Sequence, residues 1–119
     1  MRGMGNLMDG ADDWGVDPSV RMMRRVFGRI ERVQGDLLKR LSLSPFDPRL
    51  RRWREKACHY QERSWVQASK WGIEVGEKEA ACIYVHCLSW AMNLDGVKVP
   101  HETLPKDEKI EIILKEVLR

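Results

Sequence analysis

The sequence predicts an all-α, four-helix bundle-like domain with a central, apolar third helix and a flexible N-terminal arm. Apolar residues recur every three or four positions in long segments, as on one face of a helix. Aspartate–proline pairs stand where two of these segments begin. No segment reads as a convincing strand. With 119 residues, 43% of them hydrophobic and 33% charged, the chain is long and apolar enough to form one core.

The first sixteen residues predict a flexible arm, because they are rich in glycine and aspartate and have no apolar period. We expect residues 17–119 to form a single helical domain. Aspartates at positions 9, 12 and 13 argue against a signal peptide. The longest uncharged run, residues 80–94, is too short to span a bilayer. Three cysteines without framework spacing favour a reducing compartment, so we predict a cytoplasmic protein.

The first two helices are predicted at about residues 18–41 and 48–71. Each follows an Asp-Pro pair, in which the carboxylate caps the helix and the proline suits its first position. The apolar stripe of the first helix comprises Met23, Val26, Phe27, Ile30, Val33, Leu37, Leu38 and Leu41. The inner face of the second comprises Leu50, Trp53, Ala57, Tyr60, Ser64, Ala68 and Trp71.

The third helix is predicted at about residues 77–94, with Gly96 as the left-handed residue that closes it. An extended linker follows. A short amphipathic fourth helix is predicted at about residues 105–118, beginning at Pro105. Its inward-facing residues are Ile110, Ile113, Leu114 and Val117.

The third helix is apolar on nearly every side, which is unusual for a helix of so small a domain. Either the other three helices cover it, or a second copy or another protein covers one of its faces. The second explanation predicts an oligomeric protein-interaction or adaptor module. Its candidate protein interface consists of Trp65, Ala81, Val85, Trp90 and Met92.

Basic residues are concentrated in the first two helices. Between residues 21 and 56, twelve lysines and arginines face four acids, a local excess of +8. They form one ridge on each helix, opposite its apolar side, and could follow a phosphate backbone. The candidate anionic-partner surface consists of Arg21, Arg25, Arg32, Lys39, Arg52, Lys56 and Arg63. The partner would be a nucleic acid, an acidic protein or an anionic membrane; alternatively, the ridges only keep the protein soluble.

Cys82 and His86 share one helical face and suggest a metal-binding protein or an enzyme as a further alternative. The other pair, Cys58 and His59, is expected to lie too far along the bundle to share an ion. The sequence has no glycine-rich phosphate loop and no nucleophile elbow. We therefore expect no catalytic residue, metal or cofactor. The leading hypothesis is a non-catalytic protein-interaction module, with nucleic-acid binding as its main alternative.

Overall fold

A computed structural model describes the backbone of residues 18–119 and the side chains of residues 24–119. Its four α-helices are α1 (Pro18–Arg40), α2 (Leu50–Lys70), α3 (Glu77–Leu94) and α4 (Glu108–Val117). A 3₁₀ turn, His101–Thr103, interrupts the linker that was expected to be extended. The described part of the chain contains no strand, so the all-α prediction is confirmed. The predicted N-terminal arm and the Asp17 cap lie outside the described residues.

The loop between α1 and α2 shows how the sequence ends one helix and begins the next. After α1, Ser42 adopts a left-handed backbone conformation (φ 55°), and the Leu43 amide donates to the Leu38 carbonyl at 2.9 Å. The Asp47 carboxylate then accepts a hydrogen bond from the Arg49 amide at 2.9 Å. Because Pro48 and Arg49 form the preceding turn, regular helix begins at Leu50, two residues later than predicted.

The third helix lies at the centre of the bundle. It contacts α1, α2 and α4, and its most extensive contact is with α2. Eleven of its eighteen residues are buried, among them Ile83 and Leu88, which have no exposed surface. Gly96 closes the helix with φ 84°, and the Val97 amide donates to the Met92 carbonyl at 3.0 Å. The prediction of a left-handed closing glycine is confirmed.

The fourth helix begins at Glu108, three residues later than predicted. Its cap is Asp107, whose carboxylate accepts from the Lys109 amide at 3.0 Å and the Ile110 amide at 3.4 Å. Pro105 stays in the linker, where its carbonyl contacts α3. The predicted inner face is buried as expected: Ile110, Ile113, Leu114 and Val117. Among the described residues, no helix is both long and apolar enough to cross a membrane.

Candidate anionic-partner surface

The basic ridge of α1 stands opposite its buried side. Arg25, Arg32 and Lys39 are exposed, whereas Val26 and Leu37 are almost wholly buried. The three cations are seven residues apart, so they follow one line along the helix at about 10.5 Å intervals. Open space surrounds the glycines of this ridge: a Cβ at position 28 or 35 would have no neighbour within 4 Å. The Arg21 side chain lies outside the described residues.

The basic ridge of α2 has the same seven-residue spacing. Lys56, Arg63 and Lys70 are exposed, and the Arg63 guanidinium lies 5.8 Å from the centre of the Tyr60 ring. A cleft of about 400 Å³ opens along this ridge toward the end of α4. Its lining contains both signs of charge: His59, Glu62, Arg63, Val66, Gln67, Lys70, Glu116 and Val117.

Arg52 belongs to the predicted surface but also holds the bundle together. Its guanidinium forms an ion pair with Asp95, just beyond the end of α3. The buried Trp53 indole N–H donates to the same carboxylate. These hydrogen bonds, first from Arg52 and then from Trp53, lower the pKa of Asp95 below its ordinary value. Arg52 therefore joins α2 to α3 and is less available to a partner than Lys56 or Arg63.

Other cations of the region are also paired within the chain. Arg29 binds Glu77 at 3.1 Å and joins α1 to α3. Arg49 binds Asp47 at 2.9 Å and stacks over the Trp53 ring, 4.8 Å from its centre. These pairs show that the +8 excess overstates the charge that is free for a partner. Within the described side chains, no carboxylate pairs with the six ridge cations Arg25, Arg32, Lys39, Lys56, Arg63 and Lys70.

The candidate protein interface around α3 is corrected by the structure. Ala81, Val85 and Met92 are 4%, 2% and 0% exposed, because the other three helices cover them. Only Trp65 and Trp90 reach the surface, and both are partly buried. Of the two explanations for the apolar third helix, intramolecular burial accounts for it. Of the five residues, only Trp65 and Trp90 remain accessible to another protein.

Cys82 and His86 lie close together, and both contact the backbone carbonyl oxygen of Pro105. The His86 Nε2 lies 2.7 Å from the Pro105 carbonyl oxygen, and the Cys82 sulfur lies 3.9 Å from the same atom. A carbonyl only accepts, so His86 carries its proton on Nε2 and fastens the linker to α3. Burial raises the pKa of the Cys82 thiol to about 11. No group of three metal-ligating side chains is present in the described part of the chain.

Two exposed phenylalanines lie beside α2, and their exposure was not predicted from the sequence. Phe27 was assigned to the apolar stripe of α1, yet 57% of its surface is exposed; Phe46 in the following loop is 88% exposed. The helical position of Phe27, about 100° from Val26, put it at the margin of the stripe. This marginal position was the only sign in the sequence that Phe27 is exposed. The sequence does not show whether a neighbouring helix covers the margin of the stripe.

Comparison of the chain with family models, with curated proteins and with solved structures finds no match. The function is therefore inferred from the chemistry and geometry of the surfaces of the bundle.

Proposed function

We propose that the protein is a non-catalytic binding module that holds nucleic acid through the basic outer faces of α1 and α2. The observation that carries this proposal is that α1 and α2 bear the same row of exposed cations. Each presents three exposed cations at seven-residue intervals, and none of the six is neutralised by a carboxylate among the described side chains. Each ridge is about 21 Å long, which is enough to contact several phosphates.

Binding of this kind is electrostatic and insensitive to base sequence. Each phosphate that a lysine or arginine neutralises releases condensed counterions, so affinity falls steeply as salt rises. Specific reading of duplex DNA would require a helix with exposed polar side chains to enter the major groove. The third helix cannot do so, because the rest of the bundle covers it. The ridges are suited to contacting phosphates and not base edges.

The proposal is tested by fluorescence anisotropy with a labelled mixed-sequence oligonucleotide, single-stranded and duplex, over a series of salt concentrations. We expect binding at low salt with a steep negative dependence on salt concentration. The variant Arg25→Glu/Arg32→Glu should weaken binding to both probes. It should also lower the salt slope by about one for each phosphate that the protein no longer neutralises.

The matched control is Lys115→Glu/Lys109→Glu, which changes the net charge equally but on exposed positions of α4. It should retain most of the affinity, because neither lysine belongs to the two ridges. Equal weakening in both double variants would mean that only net charge matters. No binding at low ionic strength would rule out the proposal. Selective binding of polyglutamate would indicate that the partner is an acidic protein and not a nucleic acid.

A protein-interaction role is the second candidate function. The exposure of Phe27 and Phe46 favours it, because exposed apolar surface often marks an interaction site. This role would use a different side of α2 from the ridge that carries Lys56 and Arg63.

A further inference from the structure

Two adjoining clefts lie along one side of α2. We call this side the lateral face of α2; it consists of Arg51, Arg54, Glu55, Cys58, Gln61, Glu62 and Trp65. A cleft of about 700 Å³ borders its first half, next to the loop that carries Phe46. A cleft of about 250 Å³ borders its second half, between α2 and the α1 residues Val26, Phe27 and Ile30. Cys58 lines both clefts, and the α2 residues that line them span about 21 Å; we call the two adjoining clefts together the groove.

The two exposed phenylalanines stand at opposite ends of this groove. Phe46 borders the first cleft and Phe27 the second. Trp65, in the second cleft, has a buried indole N–H without a hydrogen-bond acceptor. Large apolar side chains are therefore exposed at both ends of the groove, as expected of a face that packs against another helix.

The lateral face is arranged symmetrically about Cys58. Trp65 and Arg51 lie seven residues on either side of it, and Glu62 and Arg54 lie four residues on either side. If two copies of α2 pack antiparallel with a two-fold axis at Cys58, each residue faces its counterpart in the partner. Arg54 then meets Glu62 of the second copy, and Arg51 meets the ring of Trp65.

The charges of this face suit a second copy of the chain. Arg54 and Glu62 are both exposed, and neither forms an ion pair with another described side chain. A partner with a single sign of charge would face repulsion at one end of the groove, whereas the antiparallel copy satisfies both ends. The same arrangement brings Phe27 of each copy to the larger cleft of the other. We propose that this protein forms a two-fold symmetric dimer through the lateral face of α2.

The dimer does not depend on nucleic-acid binding. The ridge cations Lys56, Arg63 and Lys70 lie about 140° around the helix axis from the centre of the lateral face, so none of them belongs to that face, although Glu62 also lines the cleft beside the ridge. Dimerisation leaves Lys56, Arg63 and Lys70 exposed and provides a second pair of ridges. Either proposal can therefore fail without the other.

Cysteine cross-linking tests the position of the two-fold axis. Diamide, which accepts the two thiol hydrogens, should convert the purified full chain to a covalent dimer, because a disulfide joins residues whose Cα atoms lie within about 7 Å. The product should depend on Cys58, which is exposed, since Cys82 and Cys87 are buried. Cys58→Ser should abolish it. Cys58→Ser/Lys56→Cys, with its thiol on the basic ridge, should cross-link at least tenfold more slowly.

Charge exchange tests the pairing without relying on oxidation. Arg54→Glu and Glu62→Arg should each weaken dimerisation tenfold or more in sedimentation equilibrium, because each places like charges opposite one another. The double variant Arg54→Glu/Glu62→Arg should recover most of the affinity. Damage to folding would not be repaired in this way, because these two residues lie two turns apart on one helix. Arg63→Glu, an equal change of charge on the ridge, should leave dimerisation unchanged.

A wild-type chain that stays monomeric at about 100 µM would overturn the proposal, since a dimer of micromolar affinity is largely assembled at that concentration. Failure of the double variant to recover, or equal cross-linking of the thiols at positions 58 and 56, would also overturn it.

Discussion

The third helix and the outer faces of the first two share a backbone conformation and differ in almost everything else. Residues 80–92 contain no lysine, arginine, aspartate or glutamate, and eleven residues of α3 are buried. The ridges of α1 and α2 consist mainly of exposed cations. Burial of apolar area stabilises α3, whereas its neighbours owe little stability to their ridges. The difference separates the residues that maintain the fold from those that are free to bind a partner.

The strongest test of this difference is Leu88→Ala. Leu88 has no exposed surface, so removing its side chain should lower the free energy of unfolding by about 2–5 kcal/mol through reduced burial and a residual cavity. Arg32→Ala, on the exposed ridge of α1, should change it by no more than about 0.5 kcal/mol. Urea unfolding followed by circular dichroism measures both. Similar effects for the two variants would mean that α3 is not the tightly packed centre of the bundle.

The fold was largely predictable because it depends on local signals and on apolar periodicity. The apolar run of α3 and its closing Gly96 are local features of the chain, and both were placed correctly. The start of α4 was not, because Pro105 and Asp107 both suit a helix start. The choice between them is made by a long-range contact: the Pro105 carbonyl is held by His86, nineteen residues earlier.

The surfaces were less predictable, because exposure depends on which helices meet. Periodicity correctly put Arg25, Arg32 and Lys56 on the outside. It could not show that Arg52 is paired with Asp95, since the two are 43 residues apart. The clefts beside α2 exist because α1 and α2 both pack on α3 and leave Phe27 uncovered between them. The position of these clefts cannot be predicted from the sequence of one helix alone.

Alkaline solution should destabilise the folded chain through two buried groups of α3. Burial raises the pKa of Cys87 from 9.0 to about 12 and that of Tyr84 to about 12. Above pH 9 the unfolded chain releases the Cys87 proton while the folded chain retains it, so the unfolded state is favoured. From this thiol we expect a loss on the order of 1 kcal/mol per pH unit between pH 9 and the folded pKa.

Urea unfolding at pH 8 and pH 10.5 measures this loss. Cys87→Ala should show a smaller decrease between the two pH values than the wild type, whatever its stability at pH 8. Cys58→Ala, which removes an exposed thiol from α2, should decrease as the wild type does. If the two variants show the same dependence on pH, the Cys87 thiol is not shielded from water.

The smallest effect is expected at Asp95, where the basic side of α2 meets the end of α3. The carboxylate accepts hydrogen bonds from Arg52 and Trp53, which lower its pKa below 3.8. The stabilisation that this contact contributes is therefore present at pH values above the ordinary pKa of aspartate. It is lost as the pH falls through the lowered pKa of Asp95. Asp95→Asn should be less stable than the wild type at pH 7 and should lose less on acidification to pH 3. Because Arg52 is half exposed, water screens the pair and keeps the effect modest.

Asp36→Asn makes the same change on the exposed side of α1 and should leave the acid dependence as it is in the wild type. Equal changes in the two variants would show that the contact with Arg52 and Trp53 adds nothing beyond a unit of net charge.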